Sequence, residues 1–230
     1  MRTPQLEIAC FNWESAVLAQ DAGAHRIELC ENYNAGGMSP SFELLSQVRD
    51  SIQIPIHVMV RPRPGNFCYV RHDLDELYDD ILVFKMSVEG IVFGALTENK
   101  EVDEHILGKV MKLAGPMSVT FHRAIDLCPD PDRALEVLIG QGVQRVLTSG
   151  GKGKATDNLA QLRRLNERYG DKITIIPAGG IRARDLPLLT ETGCHEFHSS
   201  AITGGGDLAD KHEIVLMKRV LNNFMDLHSK

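Results

Sequence analysis

The sequence predicts a single closed (β/α)8 barrel of the TIM type, and three observations carry that reading. Eight short apolar runs recur along the chain: Leu6-Cys10, Arg26-Cys30, Ile56-Arg61, Gly90-Phe93, Ser118-Arg123, Arg145-Ser149, Ile173-Ala178 and Glu196-Ser199. Segments with helical spacing lie between them, so strand and helix alternate from end to end. The 230 residues contain no Gly-, Pro- or Ser-rich stretch that would divide them, so 1–230 reads as one α/β domain. A doubly wound sheet needs fewer strands and a switch point, and regular spacing of all eight runs favours closure.

The helices follow in order. Asn12 precedes Trp13-Glu14-Ser15 and caps a first helix that Ala22-Gly23-Ala24 ends. Ser39-Pro40 and Ser41 open the second, with Phe42, Leu44, Leu45 and Val48 as its expected buried stripe. The third is expected over Asp73 to Met86, carrying Leu74, Leu77, Ile81 and Leu82. Asp103, Asp130-Pro131, Asp157 and Arg184-Asp185 start the fourth to seventh. The last, from about Asp210 to Leu227, presents Ile214, Val215, Met217, Val220, Leu221 and Phe224 to close the ring.

Composition narrows the function classes. A net charge of -6 argues against nucleic acid, whose binding rests on clustered cations. No apolar run approaches the roughly 20 residues that span a bilayer. The N-terminus enters the first strand without an apolar signal stretch, which makes the cytoplasm the expected compartment. Five scattered cysteines without a CxxC spacing read as free thiols.

Side chains alternate along a strand, so parity separates the barrel interior from the face under the helices. Leu6, Ile8, Ile27, Leu29, Ile56, Val58, Val60, Val119, Phe121 and Phe197 fall outward. Inward fall Glu7, Arg26, Glu28, Cys30, His57, Met59, Arg61, Thr120, His122, Glu196 and His198. A purely structural barrel interior would be layered Val, Ile and Leu. Burying this many ionisable groups is costly unless they pair with one another or with a ligand. A ligand cavity at the C-terminal ends of the strands is therefore expected, with a self-satisfied polar network as the alternative.

Glu28 and His122 are the candidate proton-exchanging pair, since a carboxylate near an imidazole is the raw material of general acid–base catalysis. Glu7, Arg61, Arg123 and His198 are candidate ligand-holding groups around them. Thr148-Ser149-Gly150-Gly151 and Pro177-Ala178-Gly179-Gly180 follow neighbouring strands. Glycine lets backbone N–H groups approach an anion, so Ser149, Gly150, Gly151, Gly179 and Gly180 are candidate anion contacts, with plain tight turns as the alternative. His57 lies deeper and reads as a satisfied core histidine. Soft donors near the rim are Cys10, Cys30, Met59 and His122, a set whose thiols suit Cu(I). Parity puts Cys30 inside but Cys10 with outward Ile8; Cys10 turns inward only if the first strand ends at Ala9.

Several runs together resemble the CutC family, named for copper homeostasis. They are Glu14-Ser15-Ala16-Val17, Arg26-Ile27-Glu28-Leu29-Cys30, Gly36-Gly37 with Ser39-Pro40-Ser41, Met59-Val60-Arg61-Pro62-Arg63, Phe121-His122-Arg123-Ala124-Ile125-Asp126, Leu147-Thr148-Ser149-Gly150-Gly151 and Glu196-Phe197-His198-Ser199-Ser200-Ala201. The resemblance implies the barrel fold, a cytoplasmic location, a homodimer and a part in intracellular copper control. Copper binding, carried over, would fall on Cys10 and Cys30. Three functions thus stand open: Cu(I) handling, an enzyme acting on a small anionic or phosphorylated metabolite, and an interaction scaffold.

Overall fold

The structure, a computed structural model, describes residues 3–228, with side chains to residue 224. Eight parallel strands alternate with eight helices. The strands are β1 (Gln5–Cys10), β2 (Arg26–Leu29), β3 (Ile56–Met59), β4 (Gly90–Phe93), β5 (Ser118–Phe121), β6 (Arg145–Thr148), β7 (Thr174–Pro177) and β8 (Glu196–Ser199). The helices are α1 (Trp13–Asp21), α2 (Phe42–Ser51), α3 (Arg71–Phe84), α4 (Glu104–Ala114), α5 (Pro131–Gly140), α6 (Leu159–Tyr169), α7 (Leu186–Thr190) and α8 (Lys211–His228). The fold is the expected TIM barrel.

Several helix starts follow from capping. Asn12 Oδ1 accepts from Ser15 N at 2.8 Å, Asp103 Oδ1 from Ile106 N at 2.9 Å, and Asp130 Oδ1 from Arg133 N at 3.0 Å. Each satisfies a backbone donor that the helix itself leaves unmet. The third helix starts earlier than expected, at Arg71, because Asp73 sits in its first turn and reaches back to accept from Val70 N. Asp157 and Asp185 each close a 3₁₀ turn, over Ala155–Asn158 and Ala183–Asp185, ahead of α6 and α7.

Two stripe assignments need correction. Phe42 is 54% exposed and Leu82 47% exposed. The buried faces are Leu45 and Val48 on α2, and Leu77, Ile81 and Phe84 on α3, spaced at three or four residues. Phe42 is the first residue of α2, at the helix end, and Leu82 lies off the α3 line.

The hydrogen-bonded strand order is β7-β6-β5-β4-β3-β2-β1-β8. Among the described residues no backbone ladder joins β7 to β8, and side chains fasten the gap. Ser199 Oγ donates to Ile181 O at 2.7 Å, and Arg182 Nη2 donates to Ile202 O at 2.5 Å.

The main core lies between the strands and the helices. It contains the outward strand residues Leu6, Ile8, Cys10, Ile27, Leu29, Ile56, Val58, Val119, Phe121 and Phe197. Burying a side chain of this size contributes roughly 1.5–3 kcal/mol. A smaller inner cluster, Cys30, Met59, Val92, Leu147, Ile176 and Ala178, forms a ring inside the barrel. The polar groups lie below and above it.

Candidate functional site

The floor of the barrel is a balanced set of charges. Arg26 on β2 bridges Glu7 on β1 and Glu196 on β8, reaching Glu196 Oε2 at 2.5 Å. On the other side, Arg145 on β6 donates to Ser118 Oγ at 2.5 Å and Thr120 Oγ1 at 3.2 Å, and lies against the His57 ring at 3.1 Å. One guanidinium, Arg26, is thus paired with two carboxylates, the pairing that makes buried charge tolerable, while Arg145 is held by hydroxyls and the His57 ring. Burial and the neighbouring Arg145 push His57 down to about 3, so this imidazole is neutral. It is enclosed and partnered, as its depth in the sequence suggested. Arg145 escaped the sequence reading, although parity against outward Val146 assigns it to the interior.

A chain of three side chains climbs from this floor. His198 Nδ1 lies 2.7 Å from Glu7 Oε1, and His198 Nε2 lies 3.5 Å from Glu28 Oε2. Burial alone would raise Glu7, yet Arg26 and the His198 hydrogen bond outweigh it and hold the carboxyl well below the usual range. Burial also opposes the charge on His198, but the two carboxylates win and raise it above the ordinary imidazole value. Glu28 behaves differently. Burial, reinforced by the charge of Glu7, raises it to about 7 against the pull of His198. Its Oε1 is buried without a hydrogen-bond partner. A carboxyl poised near neutrality can both take and give a proton at physiological pH.

Glu28 and His198 open into a cavity of about 390 Å³ at the C-terminal ends of the strands. That is enough for a small metabolite. Its wall also includes Phe11, Cys30, Met59, Arg61, Phe67, His122, Arg123, Leu147, Gly179, Gly180 and Ser200. Phe11 and Phe67 lie in loops after β1 and β3, where no period-two pattern marks them.

Each remaining candidate can be placed. His122 follows β5; its Nδ1 accepts from Ala124 N at 3.1 Å, while Nε2 has no partner. Burial, with Arg61 nearby, lowers it to about 3. Arg61 donates Nη1 to Ala35 O and Gly37 O and Nη2 to Gly65 O, which ties two loops to the end of β3. Arg123 is held by Asp126 at 2.9 Å and Ser149 Oγ at 3.1 Å. Its guanidinium lies over Gly179, where an added Cβ would come within 3.1 Å of Cζ.

The two glycine pairs divide. Gly179 and Gly180, with φ of +106° and +75°, line the cavity. Ser149, Gly150 and Gly151 do not. Ser149 is engaged by Asp126, through N at 3.0 Å and Oγ at 2.7 Å. Gly150 packs against the start of α6, where a Cβ would meet Asn158 Cβ, just before the helix, at 2.9 Å and Leu162 Cγ on it at 3.1 Å. Glu7 too sits beneath the cavity and reaches it only through His198.

The two cysteines lie on opposite faces of the barrel wall. The first strand continues through Cys10, which therefore points outward into the main core, with Sγ 3.5 Å from Ile8 O. Cys30 lines the cavity beside Glu28. Burial and the adjacent Glu28 push both thiols well above their usual range, which opposes the thiolate form that binds metal. Among the described residues no group of three or more His, Cys, Asp or Glu side chains is arranged to hold a metal ion. As arranged, the pair does not fit a shared Cu(I).

Comparison with known proteins is consistent along the chain. The model of the CutC family matches residues 4–203. A relative named as a family protein CutC in Salmonella typhimurium (strain LT2) is 44% identical over 197 residues, covering 85% of this chain and 79% of that protein. The human protein named copper homeostasis protein cutC homolog is 42% identical over 198 residues, covering 85% and 72%. The crystal structure of a CutC protein from Streptococcus agalactiae superimposes with a TM-score of 0.82 at 27% identity, covering 86% of this chain and 98% of that one. Thiamine phosphate pyrophosphorylase from Pyrococcus furiosus, at 16% identity and a TM-score of 0.65, shares the fold alone.

Proposed function

The chain belongs to the CutC family, and from that premise we propose that it is an enzyme of general acid–base chemistry acting on a small anionic metabolite. Glu28 exchanges the proton. His198 transmits the charge of Glu7 to it, and Arg26 fixes Glu7. Arg123 and the Gly179-Gly180 loop at the rim attract the anionic end of the substrate, and the cavity's size restricts that substrate to a small one. The observation that carries this reading is the buried, unpartnered Oε1 of Glu28 facing a cavity of metabolite size. Polar groups left unmet inside a protein are expensive, and perturbed carboxyls in clefts concentrate at working sites.

The test is a turnover screen of small anionic metabolites by NMR, alongside mass spectrometry of whatever co-purifies. Turnover should fall on the order of 10²- to 10⁴-fold in Glu28→Gln, the usual worth of a positioned acid or base. Turnover that survives this substitution in a folded variant would overturn the proposal.

The human relative is named for copper homeostasis, and we propose that setting, within the cytoplasm, for this chain too. The free thiols and the absence of any helix long and apolar enough to cross a membrane among the described residues agree with it. Direct Cu(I) capture by Cys10 and Cys30 is the less supported form, because the wall separates them. In a Cu(I) titration of the reduced protein against a competing chelator, the Cys10→Ser, Cys30→Ser double variant should match the parent. A clear drop in affinity would restore the shared site.

A further inference from the structure

Two buried N–H donors in the cavity wall have no acceptor: Nε2 of His122 and Nε of Arg61. They belong to one local structure. The Arg61 guanidinium stacks 5.0 Å from the centroid of the Phe67 ring, and the His122 ring packs 4.6 Å from the same centroid. Neither side chain is free to turn toward water. The outer nitrogens of Arg61 are committed to the carbonyls of Ala35, Gly37 and Gly65. Nδ1 of His122 is committed to Ala124 N, so the proton of the neutral ring resides on Nε2. Gly94 makes room for this ring: a Cβ there would lie 2.4 Å from His122 Cε1.

Two fixed donors without an acceptor ask for a ligand atom that only accepts. An ammonium cannot serve, and a hydroxyl brings a hydrogen of its own. A carbonyl oxygen carries two lone pairs and no hydrogen, so it can accept from two donors. Building on the acid–base reading above, we propose that Arg61 and His122 hold the oxygen of a substrate carbonyl while Glu28 exchanges a proton at the carbon beside it. In the step, the Glu28 carboxylate takes a proton from the α-carbon. The C–H electron pair becomes the C=C bond, and the carbonyl π pair moves onto oxygen, where the two N–H groups meet the developing charge. Return of the proton to that carbon re-forms the C–H bond and the carbonyl, which completes the exchange. No oxidant, reductant or second reactant is required. A neutral imidazole donor suits the task because it polarises the oxygen without surrendering its proton, and donors fixed in advance need no rearrangement as charge develops.

The experiment uses the full chain and two probes. Glycolohydroxamate, a planar mimic of an enediolate, is titrated by calorimetry. Deuterium wash-in from D2O is followed by NMR for a set of small ketoses, aldoses and 2-keto acids. We expect hydroxamate to bind, to bind at least ten-fold more weakly to His122→Asn and to Arg61→Lys, and to retain affinity within a few-fold in Glu28→Gln. Wash-in should fall at least 100-fold in Glu28→Gln. Asn at position 122 keeps an acceptor for Ala124 N, so that variant should fold even where the Arg61 variant does not. Equal hydroxamate affinity in the parent and the folded His122→Asn overturns the proposal. So does Glu28-dependent turnover of a compound without a carbonyl, with no hydroxamate binding, which would leave the acid–base reading intact. Absence of any Glu28-dependent turnover would remove both.

Discussion

Burial raises Glu28 to about 7 from an ordinary 4.5, and that shift has a sign in stability. Between these values the folded chain holds a proton that the unfolded chain has released, so stability falls as pH rises through the window. Below 4.5 both states are protonated and the cost vanishes. Above 7 it is complete, at about 3 kcal/mol on an order-of-magnitude basis. Glu28→Gln should therefore be more stable than the parent at pH 8 and gain little at pH 4, as denaturant titrations at the two pH values would check. A gain independent of pH would contradict the assignment. Residue-scale placement was legible wherever a strand supplied alternation. Ile27 and Leu29 outside, and Glu28 inside, follow from parity alone, as does the outward turn of Cys10 beside Ile8. Phe11 and Phe67 were illegible because loops have no period from which to read a side chain's direction.

At the scale of the element, β4 differs from its neighbours. Its inward positions include Gly90 and, just past its end, Gly94, and each faces an imidazole. A Cβ on Gly90 would lie 2.8 Å from the His57 ring and from Ser118 O. Gly90→Ala is expected to destabilise the barrel by about 1–3 kcal/mol through overpacking, since backbone as well as ring obstructs it. Gly94→Ala should instead displace His122 and lower turnover more than stability. Thermal unfolding and kinetics on the two variants separate these outcomes; equal effects on both measures would count against the distinction. The loop glycines show why an element's chemistry is harder to read than its existence. Gly150-Gly151 and Gly179-Gly180 are alike in sequence, yet the first pair packs against α6 and the second faces the cavity. Only the position of the following helix tells them apart.

Across the whole molecule, the ring of strands is uneven. Among the described residues seven neighbouring pairs share backbone ladders, whereas β8 is tied to the loop after β7 through Ser199, Arg182 and the carbonyls they hold. Native-state hydrogen exchange should find the amides of β7 and β8 less protected than those of β2 and β3, and Ser199→Ala should widen that difference. Uniform protection around the ring would contradict it. The single domain and its eight repeats were plain from spacing, but the weak junction was not, since it depends on which neighbours fail to pair.

Gly179 and Gly180 stand on one bank of that junction, and His198 and Ser200 on the other. A guest seated between them bridges the barrel where backbone stitching is thinnest, acting as a buckle across an open hoop. Occupancy and closure then become one equilibrium: filling the chamber should quiet the breathing of its loosest joint, and loosening that joint should weaken the grip on the guest by the same factor.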